Sequence, residues 1–482
     1  MRSPEPVVIG LDVGTTLTKA VAFGPDGTQL ARAARATVLN RVRDGWYEQD
    51  AEQVVDSVHG VLAELRTTLN RPVAAVGLTA QGDGLWLVDA DGRSVRPAIS
   101  WMDGRAGPIV EEWSDKGLLE YAYRRSGSLM FPGASGPLLA CLDRHDPDAL
   151  DRATTAAYCK DMVLQRLTGV RATDPSDASM PFLDPRTRRY DAELLAACGL
   201  AHRRRLLAPV LAAPTGTLLP ASAAVTGLPA GIPVVAGPYD LPASAWGAGV
   251  TTPGDGLLIL GTTLACQVLT DRLVHDGEPC GFVLNTWQPD RWLRALPAMV
   301  GTAALDWVLR LVGAGLDDLP DLLAEGRSDG LTVLPYLAES GERAPFVAPR
   351  ARGRIDGLHL GTRPADLVRA VCEAVAYSAR HCLAAAGLSG ALTACGGGLA
   401  SPTWAQILAD VLDRPVRVLA GHEIGARGAA LAAAGAVGAP LASEPLPGRI
   451  YRPRPEAAHR YAEGYERYLD HVAQARAGWR RD

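Results

Sequence analysis

Lysine is scarce in this chain, and several features that mark whole classes of protein are absent as well. Only Lys19, Lys116 and Lys160 occur among the 48 basic residues of the 482-residue sequence. The net charge of −5 leaves no broad basic field, so we expect no nucleic-acid partner. The scarcity also makes Lys19 conspicuous, because this residue follows a glycine turn.

The sequence has neither paired cysteines nor a long apolar run. Its eight cysteines show no CxxC or Cys/His ligand spacing, which predicts buried, reduced thiols in a cytoplasmic protein. The longest run of small residues, 428–442, is shorter than the ~20 residues of a membrane span and contains Pro440. A strand pattern begins almost at once, which leaves no room for a signal peptide. We therefore expect a soluble protein with no membrane partner.

The length and the periodicity of the chain predict two α/β domains. A single hydrophobic core seldom serves more than ~250–300 residues, and this chain has 482. Apolar strand runs alternate with amphipathic helix patterns in both halves. We place the domain boundary near residue 250, giving domains of residues 1–249 and 250–482.

A Gly-Thr-Thr triplet occurs twice, 247 positions apart, each time between two apolar strand patterns. Such a turn exposes backbone N–H groups and two hydroxyls, which suits phosphate oxygens. It matches neither the Walker loop nor the dinucleotide loop. One copy alone would be typical of an ordinary hairpin, but duplication at half the chain length favours paired phosphate sites. The residues concerned are Gly14, Thr15, Thr16, Gly261, Thr262 and Thr263.

The two copies differ in the residue that lies two positions before the glycine. This residue is Asp12 in the first copy and Ile259 in the second, so only the first can offer a carboxylate to Mg²⁺. Phosphoryl transfer from ATP needs such a metal together with donors around the phosphates. We therefore assign Asp12 to Mg²⁺ and Lys19 to the phosphates, with a turn-capping role as the alternative for Asp12.

Two further segments carry candidates for this chemistry. Gly396, Gly397 and Gly398 precede a helix start, where backbone can approach a nucleotide closely; the alternative is a tight strand-to-helix turn. Asp240 follows the buried strand pattern PVVAG, where a carboxylate could accept the proton of an attacking hydroxyl. Its alternative is a turn aspartate.

Polar residues near two other strand ends could bind a polyhydroxylated substrate. Amide, carboxylate and guanidinium groups suit hydroxyls, and tryptophan offers an apolar face to C–H groups. The alternative is a polar surface loop with the tryptophan in the core. The residues are Gln81, Asp83, Trp101, Asp103 and Arg105.

Together these segments resemble the FGGY family of carbohydrate kinases along essentially the whole chain. The similar segments are GLDVGTTLTKAVAF, LLILGTT, LTACGGGLASPTWAQILADVLDRPV and GERAPFVAPRARGRIDGLHLG. The resemblance implies two actin-like domains of ribonuclease-H type with ATP between them. It also implies Asp240 as the catalytic base, and Gln406 beside the three glycines near the adenosine.

The substrate loops depart from the pattern of xylulose kinases. Where those enzymes typically read GQMHG, this chain reads AQGDG, which resembles the branch of erythritol and L-xylulose kinases and places Asp83 near the substrate. We expect phosphorylation of a primary hydroxyl of a small ketose or polyol. An actin-like ATPase and a catalytically silent sugar sensor remain the alternatives, and a homodimer is one oligomeric state left open.

Overall fold

The computed structural model describes residues 5–273, 277–419, 421 and 423–479. The strands of the first half are β1 (Val7–Val13), β2 (Leu17–Phe23), β3 (Gln29–Ala36), β4 (Asn40–Arg43), β5 (Trp46–Gln49), β6 (Val73–Ala80), β7 (Trp86–Val88), β8 (Ala98–Ile99), β9 (Thr155–Ala157), β10 (Leu183–Asp184), β11 (Arg189–Tyr190), β12 (Thr215–Thr217) and β13 (Pro233–Ala236). Its helices are α1 (Ala51–Thr68), α2 (Gly107–Asp115), α3 (Leu118–Ser126), α4 (Ser135–His145), α5 (Pro147–Arg152), α6 (Cys159–Thr168), α7 (Pro175–Ala178), α8 (Ala192–Ala197), α9 (Pro220–Thr226) and α10 (Asp240–Gly247).

The second half continues the alternation of strands and helices. Its strands are β14 (Gly256–Leu260), β15 (Leu264–Thr270), β16 (Phe282–Asn285), β17 (Trp292–Ala298), β18 (Thr332–Leu334), β19 (Arg354–Asp356), β20 (Leu392–Cys395), β21 (Val416–Val418) and β22 (Arg449–Tyr451). Its helices are α11 (Thr302–Val312), α12 (Leu319–Glu325), α13 (Pro364–Ala386), α14 (Pro402–Leu412), α15 (Ile424–Val437) and α16 (Pro455–Trp479).

Each half is built on one large mixed sheet with the same central pattern. The first sheet has the order β12-β13-β6-β1-β2-β3, and the second β16-β17-β15-β14-β20-β21-β22. In each sheet a Gly-Thr-Thr hairpin, β1–β2 or β14–β15, lies beside a parallel strand, β6 or β20. The duplicated triplet therefore occupies the same topological position in both halves.

Local signals in the sequence account for where the long helices begin and end. Asp50 caps α1 by accepting hydrogen bonds from the backbone of Glu52 and Gln53. Helix α13 begins at Pro364 and stops before Gly387, whose φ of 87° suits glycine. These elements were predicted from the pattern, and their apolar faces pack on the sheets.

Helix α15 belongs to the second half in sequence but packs on the sheet of the first half. Its alanines lie in one buried cluster with residues of β1, β2, β6 and β13. The approach is very close, because a Cβ on Gly10 would lie 1.8 Å, and one on Gly77 1.9 Å, from helix carbonyl oxygens. The chain thus returns to its first sheet after residue 423, and the division at residue 250 stays a prediction.

All eight cysteines are free, and seven of them are buried, as their scattered spacing predicted. Across the described residues, no helix combines the length and the apolar character that crossing a bilayer requires.

Candidate active site

The candidate residues of each half gather at one edge of its sheet. Strand β1 runs parallel to β6 with Val13 opposite Ala80, and β6 runs parallel to β13. Because parallel strands end at the same edge, the Gly14 turn, the loop after Ala80 and the start of α10 lie together. In the second half, Ile259 pairs with Cys395, which brings the second triplet beside the three glycines.

A closed ring of hydrogen bonds fixes the first hairpin to a predicted substrate loop. The Thr15 hydroxyl donates to Gln81 Oε1 at 2.8 Å, and Gln81 Nε2 donates to Gln49 Oε1 at 2.8 Å. Gln49 Nε2 then donates to the Thr15 carbonyl at 3.0 Å, and Trp101 Nε1 donates to the Thr15 hydroxyl at 2.9 Å. The amide of Gln81 is therefore engaged within the protein, and only 3% of this residue is exposed.

Asp12 and Lys19 lie opposite each other on β1 and β2 and form an ion pair. Lys19 Nζ is 3.4 Å from Asp12 Oδ2 and 2.8 Å from Glu423, which immediately precedes α15. Burial raises the pKa of Asp12, and the charge of Lys19 opposes that rise. Burial acts to lower the pKa of Lys19, but the two carboxylates outweigh it and raise that pKa. Both side chains thus occupy a partly buried, charged corner of the hairpin.

Asp240 is the first residue of α10, at the carboxyl end of β13. Two hydrogen bonds hold the preceding loop: Thr79 donates to the Pro238 carbonyl at 2.7 Å, and the Tyr239 N–H donates to Ser176 at 2.9 Å. Burial raises the pKa of Asp240 to about 7, and the charge of Asp12 contributes to that rise. A carboxylate with this pKa can take up a proton near neutral pH.

Asp83 lies in a tight loop directly after β6 and has a positive φ of 55°. The loop touches the segment that leads to Asp240, because a Cβ on Gly82 would lie 2.6 Å from the Tyr239 ring. Only 8% of Asp83 is exposed. Burial raises its pKa to about 8, the positive charge of Arg343 opposes the rise, and the charge of Asp240 adds to it.

Asp103 and Arg105 form an internal ion pair. Arg105 Nε and Nη2 donate to the two oxygens of Asp103 at 2.8 and 2.9 Å, and the Tyr47 N–H donates to Asp103 at 2.7 Å. Arg105 also donates to Glu48 at 2.8 Å and stacks over the Trp46 ring at 4.1 Å. The Asp103 carboxylate is thus occupied by protein donors in this arrangement.

The second hairpin and the three glycines are in direct contact. A Cβ on Gly396 would lie 2.3 Å from the carbonyl oxygen of Leu260, the residue before Gly261, and one on Gly398 would lie 2.8 Å from the Leu260 side chain. Thr262 and Gly397 are exposed at this edge. Glycine is required here because the strand-to-helix turn passes directly over the hairpin.

The amide nitrogen of Gln406 is engaged by acceptors within the protein. Gln406 Nε2 donates to Asp410 at 2.9 Å and to the Arg452 carbonyl at 2.8 Å. The side chain lines a cavity of about 420 Å³ together with Arg449 and Arg454. Its assignment to the adenosine stays a prediction.

Several residues at this edge were not identified from the sequence. Gln49 closes the hydrogen-bond ring, Ser176 supports the loop before Asp240, and Glu423 pairs with Lys19 across 404 residues. Arg343 and Glu342 lie in the segment GERAPF, which was recognised by its resemblance to the family but from which no site residue was assigned.

Comparisons with known proteins match both halves of the chain to one family. Residues 7–247 match the N-terminal domain, and residues 257–437 the C-terminal domain, of the FGGY family of carbohydrate kinases. The erythritol kinase of Brucella abortus is 34% identical over 503 residues, covering 98% of this chain and 96% of that protein. The xylulose kinase of Escherichia coli is 31% identical over 434 residues, covering 86% and 87%.

A solved structure gives the same result for the fold. The crystal structure of xylulose kinase from Rhodospirillum rubrum superposes with a TM-score of 0.89 at 31% identity, covering 98% of this chain and 100% of that one. The predicted two-domain, actin-like α/β fold and the predicted phosphotransferase class are thereby confirmed. The chain belongs to the FGGY family of carbohydrate kinases.

Proposed function

We propose that this enzyme transfers the γ-phosphate of ATP to a primary hydroxyl of a small sugar or polyol, with Asp240 as the base. The observation that carries the proposal is the position of Asp240, at the sheet edge shared with the first hairpin and electrostatically coupled to Asp12. A hydroxyl beside Asp240 would lose its proton as the bond to phosphorus forms. The raised pKa suits a group that must hold this proton briefly.

Asp12 suits Mg²⁺ because this ion is usually held by one or two carboxylates, with waters and substrate phosphates completing its shell. Among the described residues, no cluster of three or more acidic, His or Cys side chains could hold a metal without such help. Gly425 keeps space open at Asp12, since a Cβ there would lie 2.8 Å from Asp12 Oδ2. When bound, Mg²⁺ would neutralise charge on the phosphate oxygens.

The two hairpins would hold the phosphates from opposite halves of the enzyme. The exposed Thr16 offers a hydroxyl and backbone from the first turn, while Thr262 and Thr263 do so from the second. Gly396 and Gly397 are exposed beside the second turn, where a nucleotide could contact bare backbone. Lys19 would add positive charge once Asp12 turns to the metal.

Asp83 Oδ1 has no hydrogen-bond partner among the described residues, so this carboxylate is the candidate left to meet an acceptor. Gln81 and Trp101 hold the first hairpin through Thr15, so we assign them to positioning in addition to their predicted place at the substrate. The erythritol kinase and xylulose kinases among the relatives point to a four-carbon polyol or a ketopentose. The AQGDG loop resembles the branch of erythritol and L-xylulose kinases, so it favours erythritol or L-xylulose over D-xylulose.

A coupled assay that measures ADP release tests the proposal directly. We expect turnover to require erythritol, D-xylulose, L-xylulose or a related polyol, and to fall at least 100-fold in Asp240→Ala. Nucleotide affinity should stay nearly intact in that variant, because the base acts on the acceptor. The matched control is Asp271→Ala, which removes an exposed carboxylate. ATP turnover that no sugar or polyol stimulates would instead favour an actin-like ATPase.

A further inference from the structure

A loop of the second half reaches the loop that carries Asp83. The guanidinium carbon of Arg343 lies 5.3 Å from the centre of the Phe131 ring, in the first half. Two residues beyond Phe131, the Gly133 carbonyl accepts a hydrogen bond from the Gly84 N–H at 3.0 Å. Gly84 directly follows Asp83, so Arg343 and the Asp83 loop both contact the segment from Phe131 to Gly133.

Both of these charged groups have a buried atom without a hydrogen-bond partner in the described part of the chain. The atoms are Oδ1 of Asp83 and Nε of Arg343. An unpaired buried polar atom costs stability unless a ligand or water satisfies it. The two groups interact electrostatically. The charge of Arg343 opposes the rise in the pKa of Asp83, and the charge of Asp83 opposes the fall in the pKa of Arg343. Among the described residues no ion pair joins the two groups, and each keeps one buried polar atom that a ligand could satisfy.

We propose that Arg343 is a specificity-determining residue that, together with Asp83, binds the acceptor hydroxyls remote from the one that Asp240 deprotonates. This inference rests on the function proposed above and names the acceptor class. A hydroxyl can accept from Arg343 while its neighbour donates to Asp83, so adjacent hydroxyls of an uncharged polyol or ketose would satisfy both groups.

Glu342 positions Arg343 and links it to the second hairpin. Its Oε1 accepts from the N–H groups of Arg343 at 2.8 Å, Ala344 at 3.2 Å and Met299 at 3.1 Å. Met299 is two residues before Gly301, whose N–H donates to the Thr262 carbonyl. One carboxylate therefore ties the loop at the acceptor to the turn assigned to phosphate.

The test compares kcat and KM for erythritol and for glycerol, which has one hydroxyl fewer. We expect Arg343→Met to raise the KM for erythritol about 10- to 100-fold, the range for losing a charged hydrogen bond. The KM for glycerol should change much less, and Arg343→Lys should recover part of the loss. Arg350→Met is the control, because Arg350 is exposed and seven residues away. It should change neither value more than about twofold.

A double variant, Asp83→Asn with Arg343→Met, tests whether the two residues share a ligand. We expect its combined loss to be smaller than the product of the single losses, because either change already disrupts the shared contact. Equal losses for erythritol and glycerol, multiplicative losses in the double variant, or an Arg343→Met enzyme like the control would each overturn the inference while leaving the kinase function standing. A wild-type enzyme that phosphorylates no acceptor overturns both.

Discussion

Replacing Asp83 with asparagine should stabilise the folded chain even though it damages the proposed acceptor site. The wild-type carboxylate is buried and its pKa is raised to about 8, compared with roughly 3.9 for an aspartate in an unfolded chain. Asparagine removes the charge and tolerates the positive φ of 55° at this position. The variant therefore removes the free-energy cost of burying the Asp83 charge and leaves the backbone conformation of the loop unchanged.

The size and the pH dependence of the gain follow from these two pKa values. One pKa unit corresponds to about 1.4 kcal/mol, so the difference sets a ceiling between about 5 and 6 kcal/mol above pH 8. Local adjustment and water entry reduce such penalties, and we expect a gain on the order of 2 kcal/mol. At a pH below the unfolded pKa, the Asp83 carboxyl is protonated in both the folded and the unfolded chain, so there is no cost of burying its charge. As the pH rises, the unfolded chain loses its proton first, and the penalty grows until the folded group ionises near pH 8.

Calorimetric unfolding at pH 5 and pH 8.5 measures this effect. We expect Asp83→Asn to raise the unfolding midpoint of the first half by about 4–8 °C at pH 8.5. The penalty develops over the roughly four pH units between the unfolded and the folded pKa. At pH 5 the solution is only about one unit above the unfolded pKa, so the gain should fall to about a quarter. Asp91→Asn, an exposed change in the next loop, serves as the control. A lower midpoint for Asp83→Asn, or a gain independent of pH, would refute the reasoning.

Three other predictions use the same geometry. Since Asp240 must be deprotonated to act and its pKa is about 7, kcat/KM should rise about tenfold between pH 6 and pH 8, and a flat profile would contradict its role. Thr15→Val removes the hydroxyl that pairs with Gln81 Oε1 and Trp101 Nε1 and should lower kcat about tenfold or more, while Thr15→Ser should stay near wild type in the same assay. Gly77→Ala forces a Cβ to 1.9 Å from a carbonyl of α15 and should cost about 3 kcal/mol in urea unfolding; Gly107→Ala, which meets open space, should not.

The hairpins, the long helices and the family could be predicted because they depend on local order in the sequence. A turn such as Gly14 to Thr16 and a helix such as α13 are specified by neighbouring residues, and parallel pairing then places Asp240 near the first turn. The position of α15 could not be predicted in this way. Its small residues gave no partner, because the partners Gly10 and Gly77 lie more than 340 residues away.

The same limit applied inside the site. Gln81 was identified as a substrate residue by type, but its bonds to Thr15 and Gln49 depend on how three segments meet. Lys19 was assigned to phosphate, and its partner Glu423 became visible only in the folded chain. Arg343 belonged to a recognised segment, yet its approach to Phe131 follows from how the two halves pack together.

The late return of α15 also constrains how the protein can be made. The face of β1 and β6 that α15 covers stays open until this helix has been synthesised. Ala429 of α15, which lies over Gly77, follows it by 352 residues. At roughly 5 to 20 residues per second, a ribosome needs between about 18 and 70 s to cover that distance. During this interval the glycine-lined face of the nascent sheet lacks its covering helix, so the N-terminal half completes its core only after α15 has been synthesised.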